Sequence, residues 1–138
     1  MTFTGRTLVE GSAAGAVAAI APLSLWGGYD PVTGLVIDRS HPALGRSLAG
    51  AIVVMSSGRG SSSSSAVLAE AIRLGTAPAA IVLAEADPIL VVGAMVAESL
   101  YGRTCLIVVL GAADHAALAG AARAEIAADR GTARIVAE

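Results

Sequence analysis

Apolar residues in the second half of the chain come in short runs, at Ala51–Met55, Ala79–Leu83 and Thr104–Leu110, each with Gly, Pro or Ser on at least one side. Runs of this length suit strands buried on both faces. Between them the spacing changes. Val67, Leu68, Ala71 and Ile72 predict a helix over Ala66–Leu74, closed by Gly75. Asp87 followed by Pro88 reads as an N-cap with proline at the first helical position. A second helix is predicted from there to about Leu100, ended by Gly102.

The first half is punctuated by Gly and Pro, with short apolar pieces at Thr7–Val9, Val17–Ile20 and Leu35–Ile37, and reads as β-rich. Tyr29-Asp30-Pro31-Val32-Thr33-Gly34 has the residues of a turn leading into the third piece. Ser40-His41-Pro42-Ala43-Leu44-Gly45 reads as an irregular connection or a single helical turn. The tail admits two readings. Ala112–Ala128 has the composition of an Ala-rich helix, whereas Asp129-Arg130-Gly131 between Ala124–Ala127 and Ala133–Val136 favours a two-strand hairpin. The expected fold class is α/β in a single domain spanning residues 1–138.

The most informative segment is Gly58-Arg59-Gly60-Ser61-Ser62-Ser63-Ser64-Ser65, set between an expected strand and an expected helix. A glycine loop entering a helix gathers free backbone N–H groups, the positive end of the helix dipole and hydroxyls at one point, which suits an anionic ligand. A serine run is also a linker composition. Here, however, both flanks are patterned pieces of one core, which favours a site.

Composition removes other function classes. Hydrophobic residues make up 55% of the chain, but the aromatics are only Phe3, Trp26, Tyr29 and Tyr101, so packing must be aliphatic and close. All nine basic residues are arginine, set against eleven acids for a net charge of −2. No basic stripe with interleaved aromatics is present, so no nucleic-acid partner is expected. The uncharged stretch Gly11–Tyr29 contains Pro22, Gly27 and Gly28 and reads as neither a membrane span nor a signal peptide, so a soluble cytoplasmic protein is expected. The low charge, 14%, suggests surface covered by a partner. Cys105 lies in an apolar run as a buried thiol, and His41 and His115 stand apart from other ligand-type residues. No metal site built by this chain alone is expected.

Gly27-Gly28-Tyr29-Asp30-Pro31 with Thr33-Gly34, Ile37-Asp38 with His41-Pro42 and Gly45, Gly50 before a strand, Gly58-Arg59-Gly60-Ser61, and Glu85-Ala86-Asp87-Pro88-Ile89 with Gly93 follow one another in an order and spacing that resembles the small subunit, or swivel domain, of the aconitase X family. The resemblance covers nearly the whole chain. It implies a swivelling β/β/α domain that closes over a larger catalytic subunit carrying an iron–sulfur cluster, with no cofactor bound by this chain alone. It also implies a small hydroxy-acid substrate, since family members dehydrate (R)-5-phosphomevalonate or cis-3-hydroxy-L-proline.

The first serine after the loop glycine, Ser61 here, matches the family's proton acceptor. Ser62 matches a neighbouring residue that helps hold substrate, and Ser65 matches a serine often found there. The run Ser62-Ser63-Ser64 departs from the more varied residues of phosphomevalonate-type members. Arg59 and Gly60 complete the expected substrate-binding set, with Arg59 either a substrate contact or a solvated loop arginine.

Dehydration needs a base for the proton beside a carbonyl-type group and a Lewis acid for the departing hydroxyl. Serine is a weak base, and a helix N-terminus contributes only about 0.3–2 kcal/mol, roughly one pKa unit. An isolated chain without turnover is therefore expected. Asp30 reads as shaping its turn, Asp38 as holding a loop, His41 as structural, Asp87 as a helix cap, and Trp26 with Tyr29 as either an interface patch or a rim of the core. The alternative function is a non-catalytic swivel or binding module capturing an anion at the Gly60–Ser61 loop. An acyl-transfer hydrolase ranks third, because the loop is not a Gly-x-Ser-x-Gly elbow.

Overall fold

The computed structural model describes residues 1–138. Its elements run β1 (Thr2–Val9), β2 (Gly11–Ala19), a single irregular turn α1 (Leu25–Gly28), β3 (Ile52–Val54), α2 (Ser64–Leu74), β4 (Ala80–Leu83), α3 (Pro88–Tyr101), β5 (Leu106–Val109), α4 (Ala112–Ala119), β6 (Arg123–Ala128) and β7 (Thr132–Ala137). The seven strands close into a barrel in the order β1-β5-β4-β3-β2-β6-β7. β2, β3, β4 and β5 are parallel neighbours. The pairs β2–β6, β6–β7, β7–β1 and β1–β5 are antiparallel.

Two cores share the parallel wall. Inside the barrel, Ile52, Val54, Ala80, Val82, Leu106 and Val108 meet Phe3, Ile126, Ile135 and several alanines from the antiparallel wall. On the wall's outer face, Val53, Ile81, Leu83 and Ile107 pack under Leu68, Ala71 and Ile72 of α2 and Leu90, Ala94 and Ala97 of α3. Burial on both faces is why β3, β4 and β5 read as unbroken apolar runs, while β6 and β7 alternate exposed and buried along their length. The layers are therefore antiparallel β, parallel β and α, with β1 and β2 closing the two β layers into one barrel.

Several expectations change. The first two strands are far longer than Thr7–Val9 and Val17–Ile20, because Gly5, Gly11, Ala13, Ala14 and Gly15 pair without an apolar signature. Leu35–Ile37 is not a strand of the barrel; its residues make only the isolated bridges Tyr29–Val36 and Leu35–Ser47. The tail holds both readings in succession: α4 takes Ala112–Ala119, and the hairpin follows it as β6 and β7. Leu118 of α4 enters the barrel core, and the His115 Nε2–H donates to the carbonyls of Met55 (3.0 Å) and Val82 (3.2 Å), pinning α4 across the carboxyl ends of β3 and β4. Tyr29 and Trp26 part company. Tyr29 is buried, its hydroxyl donating to Thr76 O at 2.7 Å, and Trp26 is exposed.

Helices α2 and α3 approach most closely at Gly93, where a Cβ would stand 2.6 Å from Ser65 O and 3.1 Å from Ser65 Cα. The obstacle is backbone, so Gly93→Ala is expected to lower stability by about 1–3 kcal/mol in urea unfolding, and an unchanged midpoint would refute this account of the contact.

The buried thiol supplies a pH dependence. Desolvation pushes Cys105 up from 9.0 to about 12, and burial raises Tyr29 from 10.0 in the same sense. Both groups therefore hold their protons more tightly folded than unfolded. The stability this confers is complete below pH 9.0 and is lost as pH climbs towards about 12. Urea midpoints are expected to be level near neutrality and to fall above that threshold, with Cys105→Ala flattening the first part of the decline.

Candidate functional site

The parallel strands deliver their carboxyl ends, and the loops that follow them, to one end of the barrel, where open α/β sheets place ligands. The loop after β3 is tied there by an extension of the sheet. Leu23, just beyond β2, bridges in parallel to Gly58, and the Arg59 amide donates to Leu23 O at 3.3 Å. The chain then turns at Gly60, whose φ of +86° favours glycine and whose would-be Cβ would press on the Ser24 side chain.

Beyond Gly60 the serines wind into α2. The Ser63 amide donates to Ser61 Oγ at 3.0 Å, the Ser65 hydroxyl to Ser62 O at 2.9 Å, and the Ser64 amide to Ser61 O at 3.0 Å. The helix begins at Ser64, two residues before the predicted start. The amides of Gly60, Ser61 and Ser62 have no acceptor within the chain. Three free N–H groups thus sit ahead of a helix N-terminus, beside a hydroxyl that already receives one hydrogen bond.

Gly58, Arg59, Gly60 and Ser61 line a cleft of about 80 Å³ with Leu23, Leu25, Ser64, Asp87, Ile89 and Leu90. Three of the four residues expected at the site share this cleft. Ser62 is exposed and does not line it. The sequence reading missed Ser64, which is buried and accepts from the Trp26 amide at 3.1 Å, joining the loop to the α1 turn. It also missed the second use of Asp87. One carboxylate oxygen caps α3, accepting from Ile89 N (3.0 Å) and Leu90 N (3.4 Å). The other faces Gly58 so closely that a Cβ there would collide with it. The loops after β3 and β4 are therefore seated against each other through a glycine that leaves room for a carboxylate.

Arg59 is the only cation in the lining and Asp87 the only acid. Asp38 adds a second carboxylate nearby. The hydroxyl and amide of Ser40 hold it below the usual carboxylate range, and the Arg59 charge acts in the same direction. Asp30 accepts from Val32 N at 2.9 Å and shapes its turn. His41 is structural, its Nε2–H donating to Ala21 O at 2.8 Å while Nδ1 accepts from Ala43 N at 2.9 Å. Neither histidine hydrogen-bonds Ser61.

The residues of this chain do not fit an iron–sulfur cluster. Its one cysteine is sealed in the outer core, and no group of three His, Cys, Asp or Glu side chains is gathered at metal-binding distance. No helix is long and apolar enough to cross a membrane.

A family model described as the aconitase X swivel domain matches residues 2–135. A cis-3-hydroxy-L-proline dehydratase of Pseudomonas aeruginosa is 53% identical over 107 residues, which are 77% of this chain and 18% of that protein. A phosphomevalonate dehydratase small subunit of Methanothermobacter thermautotrophicus is 42% identical over 93 residues, 67% of this chain and 71% of the relative. Among solved structures, the holo-form of Thermococcus kodakaraensis aconitase X aligns over 99% of this chain and 98% of the matched chain, with a TM-score of 0.80 and 31% identity.

The double use of Asp87 is open to test. Asp87→Ala is expected to cost about 1 kcal/mol, the usual size of a lost N-cap, and to speed amide exchange from Gly58 to Ser61. Asp87→Asn keeps a cap acceptor and is expected to retain most of the stability. An alanine variant as stable as the parent would remove the cap from the account.

Proposed function

The chain belongs to the aconitase X swivel-domain family, and on that premise we propose that it is the small subunit of a hydro-lyase dehydrating a hydroxylated amino acid of the cis-3-hydroxy-L-proline type. The reading is carried by the Ser61 hydroxyl, held by the Ser63 amide at the head of α2 in a cleft that also holds Arg59. In it, Ser61 accepts the proton from the carbon next to the substrate carboxylate, the electron pair of that C–H bond forms the double bond, and hydroxide leaves the neighbouring carbon, becoming water when it takes up the proton that Ser61 then releases.

The surroundings favour the charged form of Ser61. An N–H donated into Oγ, the helix dipole and the Arg59 guanidinium each stabilise an alkoxide relative to the alcohol. The first two together fall well short of making serine a base in water, since each pKa unit requires about 1.36 kcal/mol. Closure by a second protein must supply the rest through desolvation and further positive charge. The Lewis acid for the departing hydroxyl belongs on that second protein too, as this chain has no ligands for a cluster.

The charge pattern supports a zwitterionic substrate. One arginine set against Asp87, with Asp38 close by, matches a molecule bearing one carboxylate and one ammonium better than a phosphorylated acid with several negative charges. In this reading the free amides of Gly60 and Ser61 bind the carboxylate.

The test is anaerobic reconstitution with the large aconitase X-type subunit from the same genome, assayed on cis-3-hydroxy-L-proline and 5-phosphomevalonate in parallel. Turnover of the first by the complex, and none by the isolated chain, is expected. Ser61→Ala should lower kcat by about 10²–10⁴, the range for a lost general base, with little change in KM. Retained turnover would exclude Ser61 as proton acceptor. Turnover of phosphomevalonate alone would overturn the choice of substrate.

A further inference from the structure

Two polar side chains of the chain are buried, His41 at 7% exposed and Ser64 at 4%. His41 has both ring nitrogens engaged, by Ala21 O and Ala43 N. Ser64 is only half engaged. A hydroxyl has one proton to donate and two lone pairs with which to accept. The Trp26 amide occupies one lone pair of Ser64 Oγ at 3.1 Å, and no carbonyl or carboxylate of the chain receives the proton. Nearby serines differ. The Ser65 hydroxyl donates to Ser62 O and the Ser24 hydroxyl to Trp26 O, while Ser61, Ser62 and Ser63 lie closer to solvent, where water serves them. Ser64 is the buried serine of the run, and it lines the cleft with Arg59, Gly60 and Ser61. Asp87, the one carboxylate in that lining, is turned to α3 and Gly58 and does not take the Ser64 proton.

Resting on the hydro-lyase reading above, we infer that Ser64 is a carboxylate-binding residue, its O–H donating to the same substrate carboxylate as the Gly60 and Ser61 amides. The cleft, about 80 Å³, is far smaller than the roughly 300–1,000 Å³ of pockets that enclose a whole ligand, so it takes one end of the substrate. Free amides, a guanidinium and an unused hydroxyl proton are all suited to the carboxylate end. A buried donor without an acceptor weakens a fold until something fills it, and a carboxylate oxygen fills it through a charge-assisted bond. The Trp26 N–H donated into Oγ polarises the O–H and strengthens it as a donor. The α1 turn thus acts on the site through its backbone, while the Trp26 side chain stays exposed. Loss of the Ser64 hydroxyl leaves Ser61 with its own hydrogen bond from the Ser63 amide, so substrate binding suffers and the proton-transfer step does not.

The experiment uses the complex reconstituted with the large aconitase X-type subunit, and reads turnover of cis-3-hydroxy-L-proline and its inhibition by L-proline and L-prolinamide. L-Proline keeps the carboxylate and lacks the leaving hydroxyl; L-prolinamide also lacks the negative charge. In Ser64→Ala, KM and the inhibition constant of L-proline are expected to rise about 10- to 100-fold, the range for a lost hydrogen bond to a charged group, with kcat and L-prolinamide inhibition close to the parent's. Ser64→Gly is expected to match it, and Ser64→Thr, which keeps a hydroxyl, to restore the preference for L-proline. KM and inhibition constants do not depend on the fraction of complex that folds, so a variant assembled in low yield still reports. A parental KM and a parental preference for L-proline in the alanine and glycine variants would overturn the assignment. So would a fall in kcat at unchanged KM, which would make Ser64 a support for Ser61 instead. A parent complex that neither turns over cis-3-hydroxy-L-proline nor binds L-proline defeats the hydro-lyase reading, and this assignment with it.

Discussion

Strand β1 pairs with β5 on one side and β7 on the other, and this double pairing closes the sheet. Without it the parallel wall and the antiparallel hairpin, still joined through β2 and β6, would be one open sheet with unpaired edges at β5 and β7. With it the interior becomes a sealed core that small residues must fill. Ala80, Ala124, Ala128, Ala133 and Ala137 all face inward, with Phe3 the only aromatic among them. A chain rich in alanine and poor in aromatics suits a narrow barrel whose interior is packed with side chains.

That end is organised by contacts between loops rather than by one loop alone. Leu23 bridges to Gly58, Trp26 to Ser64, and Asp87 packs against Gly58 while capping α3. Each tie uses backbone or a short side chain, so the serine segment is held in place without bulky neighbours crowding it. The result is a hydroxyl with its hydrogen-bond acceptor capacity partly engaged and three amides left over. Such an arrangement is prepared for a negatively charged group.

Buried strands and capped helices were legible because their signals are local. The apolar runs of β3, β4 and β5, the Asp87-Pro88 start and the glycines after α2 and α3 all stand where the pattern puts them. β1 and β2 were only partly legible, since pairing of Gly5, Gly11 and Gly15 depends on neighbours distant in sequence. Barrel closure is likewise a matter of register across the whole chain, which no window reveals. At the site, the loop from Gly58 to Ser61 was visible as a composition. Its contact with Asp87 and the burial of Ser64 were not, because they arise from the packing of α3 and the α1 turn against it.

The pairing of the first strand with the last has a consequence for how such a protein can be encoded. Residues 1 and 137 are hydrogen-bonded neighbours at the rim of the barrel, so an added polypeptide at either end need not cross the fold to reach its destination. Gene fusion and gene fission then leave the same barrel and the same loop. A circular permutation linking the two ends would ask only for a short connection. The architecture is indifferent to whether further polypeptide is a separate chain or a continuation of the same one, and that indifference is written into two antiparallel strands.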